Sequence, residues 1–153
     1  MKLHAHLASR IGSELAAAGH VLIIAHDRER ALKAATETSF DLIVLDAFNS
    51  DSIPAHLISR EAVRMYMAKL RPDGVLLFHV SNRYLDVQSL AAVVAHDEDL
   101  PAFARDEYVA AVRNREGLAS IRNREHWTGV ETRSGIQPWT DDYSNMLSVI
   151  RWE

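Results

Sequence analysis

"DLIVLDAFNSDSIP" (41–54) sets four apolar residues, Leu42 to Leu45, between Asp41 and Asp46, then opens into a polar loop that ends at Pro54. An unbroken apolar centre of this kind suits a buried parallel strand covered on both faces better than an alternating one. Asp46 then stands at the C-terminal end of the strand, the edge where open α/β sheets hold their ligands. A second acid, Asp51, follows in the same loop. Two readings are open for this pair. The acids hold a ligand, or they form an Asx-turn that leads into the next helix.

The flanking sequence predicts alternating elements. Residues 5–18 carry Leu7, Ile11, Leu15 and Ala18 at helical spacing, and Gly19 stops the run. "HVLIIAH" (20–26) is β-rich, and Asp27 caps a helix over 27–38. After Pro54, Ser59 is a suitable N-cap for "REAVRMYMAKL" (60–70), with Ala62, Met65, Tyr66 and Leu70 near one face. Pro72-Asp73-Gly74 predicts a turn into the strand "VLLFHV" (75–80). Asp86 caps the helix "VQSLAAVVAH" (87–96), and "DEYVAAVRN" (106–114) predicts a strand. "REGLASIRN" (115–123) reads as a short helix or turn, and 123–142 mainly as loop. "NMLSVIRW" (145–152) alternates imperfectly and predicts a final strand. Strands alternating with helices imply a parallel sheet with right-handed crossovers.

Composition bounds the function classes. The 153 residues suit one domain, 48% hydrophobic and 25% charged, with no sign of disorder or fibre. A formal net charge of −4 and the lack of a basic stripe with interleaved aromatics argue against nucleic acid as a partner. Arg113, Arg115, Arg122 and Arg124 do gather, but Glu116 and Glu125 interrupt them, as on a solvated face. Zero cysteines remove disulfide and thiolate chemistry and fit a reducing cytosol, so the expected location is cytoplasmic. No apolar run has the length of a membrane span, and no membrane association is expected.

Residues 41–87 and the tail "WTDDYSNMLSVIRW" (139–152), about two-fifths of the chain, resemble the spermidine synthase-like family of polyamine aminopropyltransferases. These share the Rossmann-like sheet of class I methyltransferases. The resemblance implies transfer of an aminopropyl group from decarboxylated S-adenosylmethionine, as co-substrate rather than tightly bound cofactor, to a polyamine or other small amine. It assigns Asp46 as the catalytic acceptor of the amine's proton and Asp51 as an amine-binding acid. "AHDRERAL" (25–32) matches the segment whose acid holds the adenine amino group, which gives Asp27 to the nucleoside; His26 replaces the family's glycine there. "WTDDYSN" (139–145) corresponds to a loop at the active-site rim, so Asp141, Asp142 and Tyr143 become candidates for binding the amine. The plain alternative makes Asp141 a turn former and Tyr143 a packed anchor.

The chemistry suits two acids. A primary amine, with a pKa of about 10, is almost fully protonated at neutral pH, and only its neutral form attacks a sulfonium carbon. Carboxylates attract both cationic reactants, and one of them can take the proton.

The nucleoside side of such a site is not visible. Residues 1–40 hold only Gly12 and Gly19, with no glycine-rich turn and no ribose-binding acid after a strand. The expectation is a single truncated spermidine synthase-like domain over 1–153. Its fold would be α/β, a shortened Rossmann-like (methyltransferase-type) sheet of about five mostly parallel strands flanked by helices. Little or no transfer is expected from the chain alone. The alternative is a non-catalytic binding or assembly domain, and a homodimer formed through an exposed sheet edge is expected.

Other chemistries fit less well. "GHVLIIAHDRERALKAATETSFDLIVLD" (19–46) also resembles part of a response-regulator receiver, but the acids of a Mg²⁺ site and a late lysine are missing. Eight histidines follow no metal-ligand spacing, so no metal is expected. No G-x-S-x-G motif supports serine hydrolase chemistry. His79 and Asn82, in "HVSNRY" (79–84), fall on the ligand-facing edge by topology, either lining a pocket or ending the strand with hydrogen bonds.

Overall fold

Phe40–Leu45 forms β1, and its parallel neighbour is β2, Leu70–His79. The computed structural model describes residues 39–46, 54–114 and 127–151, all within one compact unit, Ser39–Glu153. The elements predicted over 5–18, 20–26, 27–38 and 115–123 lie outside the described residues. Leu42, Ile43, Val44 and Leu45 stand opposite Val75, Leu76, Leu77 and Phe78. β1 is half-buried rather than buried, with Val44 38% exposed, because among the described strands it is outermost.

The crossover between them is α1, Arg60–Lys69, which begins where the sequence places it. Ser59 is the N-cap, and its hydroxyl accepts from the backbone N–H of Ala62 at 3.2 Å. The expected face holds at Ala62 and Leu70, which are buried, and at Tyr66, half-buried against the core, but Val63 and Met67 are buried as well and Met65 is 47% exposed. Pro72-Asp73-Gly74 is a bulge inside β2 rather than a turn before it, since the register jumps from Phe40↔Leu70 to Leu42↔Val75. A Cβ on Gly74 would lie 3.0 Å from the Arg71 carbonyl oxygen and from Leu70, so a side chain there would require its neighbours in the bulge to shift. α2, Val87–Asp97, is capped by Asp86, which accepts from the Ser89 N–H at 3.1 Å.

Among the described residues the sheet has five strands in the order β1-β2-β4-β3-β5, with β3 at Ala102–Arg105, β4 at Tyr108–Val112 and β5 at Thr128–Gly129. It is α/β as expected, but mixed and mostly antiparallel, not mostly parallel. Among the described strands only β1–β2 is parallel; β2–β4, β4–β3 and β3–β5 are antiparallel. The cause is local. A parallel continuation needs a crossover of a dozen residues or so, yet after β3 the chain turns back within two residues, Asp106 and Glu107, with Arg105 opposite Tyr108. Asp106 takes the left-handed conformation at φ 50°, which aspartate tolerates better than most residues. β3 itself escapes notice in the sequence because "DE" is not one of the strong hairpin dipeptides.

Alternation along β2 separates two apolar clusters. Leu76 and Phe78 join α1, α2, Val109, Trp139 and Val149 in the main core. Val75 and Leu77 turn the other way, towards Phe103, Ala110, Val112 and Trp127. The final strand expected over 145–152 is instead a 3-10 turn, Met146–Val149. Asn145 caps it by accepting from the Leu147 N–H at 3.1 Å, and Met146 and Leu147 are both exposed. Among the described residues of this stretch, Ile150 forms the one β-bridge, to Leu85.

Tyr66 supplies a test of this packing. Its hydroxyl donates to the Leu57 carbonyl at 3.4 Å, and burial pushes its phenol up to about 12. With the folded value above the unfolded one, this contribution to stability is fully present below about pH 10 and lost as pH rises through about 12. Tyr66→Phe is expected to soften the alkaline fall in melting temperature over that window. Parallel Tm curves for the two proteins, followed by circular dichroism, would refute this.

Candidate functional site

Asp46 follows the last residue of β1 and His79 ends β2. Since Leu45 pairs with Phe78 in the parallel register, the next step along each strand brings Asp46 and His79 side by side. The contact is close: His79 Nδ1 lies 2.7 Å from Asp46 Oδ1. The His79 side chain is 3% exposed and that of Asp46 25%. A neutral histidine makes this contact as a donor only in the tautomer with hydrogen on Nδ1. Asp46 is therefore a partly open carboxylate with one oxygen held from the protein side.

The row continues across the sheet. His79 stands opposite Tyr108 in the antiparallel β2–β4 register, and the two rings stack with centroids 5.0 Å apart at 30°. Glu107, in the β3–β4 turn, places Oε2 3.5 Å from His79 Nε2. Its other oxygen accepts from the Ser81 hydroxyl at 3.0 Å, and its backbone carbonyl accepts from Val80 N–H at 2.7 Å. Burial raises the Tyr108 phenol above its ordinary value, and the negative charges of Asp46 and Glu107 add to the effect. Two carboxylates flanking a buried imidazole make this end of the sheet electronegative, suited to a cation.

The tail loop approaches the same edge by another route. α1 starts from the edge at which β1 ends, and its N-terminus holds the loop. Ser59 Oγ donates to Asp141 Oδ1 at 2.5 Å, the Asp141 N–H donates to Glu61 Oε2 at 3.0 Å, and the Arg60 N–H donates to the Trp139 carbonyl at 2.8 Å. Thr140 and Tyr143 exchange backbone hydrogen bonds at 2.8 and 3.2 Å. Asp141 thus turns the chain and places negative charge at a helix N-terminus, where the dipole favours it. The Glu61 carboxyl lies below its ordinary range, chiefly through its own backbone N–H, with the Asp141 N–H and Arg60 adding to this.

Of the residues predicted for the site, the structure joins Asp46 to His79 and Asp141 to the start of α1. Asp142 is exposed and Tyr143 is 44% exposed. Asp51 and Asp27 lie outside the described residues. Asn82 takes the strand-ending role, its side-chain oxygen accepting from the N–H groups of Tyr84 and Leu85 at 3.0 and 2.9 Å. Glu107 and Tyr108 were not expected at the site. No motif marks them, and only the register of β4 against β2 brings them there.

Two shallow depressions of about 440 and 490 Å³ lie elsewhere, one beside Arg105, Asp106 and Thr128, the other beside Met67, Glu98 and Arg113. The second also gathers Arg64, Glu98, Asp99 and Arg113, but there the Glu98 carboxylate is already neutralised by Arg64 at 2.6 Å. The Asp46–His79–Glu107 cluster, at the C-terminal end of the parallel strand pair, is the better candidate site. Among the described residues no group of three or more histidine, aspartate or glutamate side chains could hold a metal ion, and no helix is long and apolar enough to cross a membrane. No family model matches the chain, and no curated protein matches it.

Proposed function

We propose that the chain is a spermidine synthase-like domain in which Asp46 serves an amine substrate. The sheet is then a shortened methyltransferase-type sheet, with β1–α1–β2 as its parallel part and the β3–β4 hairpin closing the other side. In the reaction, the neutral amine nitrogen attacks the propyl carbon of decarboxylated S-adenosylmethionine. The new C–N bond forms as the C–S bond breaks, the sulfonium leaves as a neutral thioether, and the nitrogen's proton passes to Asp46. What supports the reading is one observation above the others: a carboxylate at the C-terminal end of a parallel strand, a quarter exposed, held on one oxygen by a buried histidine. Asp51, and the rim acids Asp141 and Asp142 with Tyr143, would add attraction for a polyamine.

The nucleoside half of the reaction has less in its favour, because the first forty residues lack a glycine-rich turn. The expected result is measurable putrescine binding, weak binding of the nucleoside sulfonium, and little transfer by this chain alone. Isothermal titration with each ligand, beside size-exclusion with light scattering, checks it. Micromolar binding of decarboxylated S-adenosylmethionine would overturn the expectation of a crippled nucleoside side. A dimer indifferent to both ligands would overturn the enzyme reading in favour of assembly through the sheet edge.

A further inference from the structure

Resting on that reading, we infer that His79 is the positioning residue for Asp46, and that Glu107 and Tyr108 hold its ring in place. Its Nδ1–H donates to Asp46 Oδ1 at 2.7 Å, which leaves Oδ2 as the oxygen available to an incoming ammonium. The ring is held against rotation from two sides. Tyr108 stacks on it, and Glu107 Oε2, its partner oxygen anchored by the Ser81 hydroxyl, stands 3.5 Å from Nε2 and accepts from it when the ring carries hydrogen on both nitrogens. The members come from the ends of β1 and β2, the β3–β4 turn and β4, so three chain segments converge on one carboxylate. The polar atoms of a histidine buried to 3% need partners, since buried polar groups are costly unless paired, and here the partner of Nδ1 is the carboxylate at the end of the parallel strand. The logic is that of a base oriented by a third group, with the order changed: here the imidazole orients the carboxylate.

The two amide replacements for histidine separate positioning from packing. Asn places its side-chain nitrogen where histidine has Nδ1, whereas Gln places its nitrogen nearer the position of Nε2. His79→Asn should therefore keep the donor to Asp46, and His79→Gln should lose it. With putrescine as the probe, His79→Asn is expected to bind within about threefold of the unmodified protein, and His79→Gln to lose about tenfold or more, the value of a hydrogen bond to a charged group. Imidazole ¹⁵N spectra of the ligand-free protein add an independent readout. They should show hydrogen on His79 Nδ1 and a signal that moves in Asp46→Asn. Equal weakening by Asn and Gln, or a spectrum showing Nδ1 without hydrogen, overturns this inference alone. Failure of the unmodified protein to bind putrescine while the spectra show the Nδ1–H pairing overturns the amine reading, and this inference with it.

Discussion

Trp139→Ala is expected to destabilise the domain by about 3–5 kcal/mol, the range for truncating a large buried aromatic. Trp139 is fully buried, packs in the main core and is among its largest side chains. Its backbone carbonyl also accepts from the Arg60 N–H at the first turn of α1, so a collapse of the site would disturb the start of the crossover helix. A domain of this size has a total stability of about 5–15 kcal/mol, and the loss is thus a large share of it. Urea unfolding followed by circular dichroism gives the difference through the midpoint and slope. Trp139→Phe should cost far less. The indole Nε1 is buried with no hydrogen-bond partner among the described residues, and phenylalanine removes that unsatisfied donor along with some apolar contact. A loss below about 1 kcal/mol for Trp139→Ala would mean that the tail does not pack as described.

Asp46→Asn is expected to weaken putrescine binding by about tenfold to a hundredfold while leaving the melting temperature nearly unchanged. The substitution keeps the shape of the side chain, and its carbonyl oxygen can still accept from His79 Nδ1–H, so the buried histidine retains a partner. What goes is the negative charge of a carboxylate that is a quarter exposed, and with it the attraction proposed for an ammonium. Glu107→Gln should have a smaller effect, because its side chain is 63% exposed and solvent and salt screen such charges. The check is calorimetric titration at low and moderate salt. Equal putrescine affinity for Asp46→Asn and the unmodified protein would remove Asp46 from any role in binding.

Local signals predicted local structure well. Ser59 and Asp86 each cap the helix that follows, because a hydroxyl or carboxylate at that position meets a backbone N–H whatever the rest of the fold does. Leu42–Leu45 and Val75–Phe78 form strands as their β-rich composition implies. The failures are also local in origin. Asn145 and Ser148 divert the tail into a 3-10 turn with short-range hydrogen bonds, which an alternating apolar pattern does not register. On α1 the expected face holds at Ala62, Tyr66 and Leu70, but Met67 is buried in place of Met65, since both fit the helical period and only the position of the sheet chooses between them.

Chain order and residue type alone were enough to place Asp46 just after one strand and His79 at the end of another, on the edge that holds ligands in open α/β sheets. Their pairing, and the arrival of Glu107 and Tyr108 beside them, depended on strand register and on a two-residue turn at Asp106–Glu107. Register is a long-range property, set by which apolar faces meet across the sheet, and a shift of one residue would send each of these side chains to the opposite face. The direction of the strands was decided locally instead: a two-residue turn at Asp106–Glu107 reverses the chain where a helix would have carried it round, and so the described sheet is mixed.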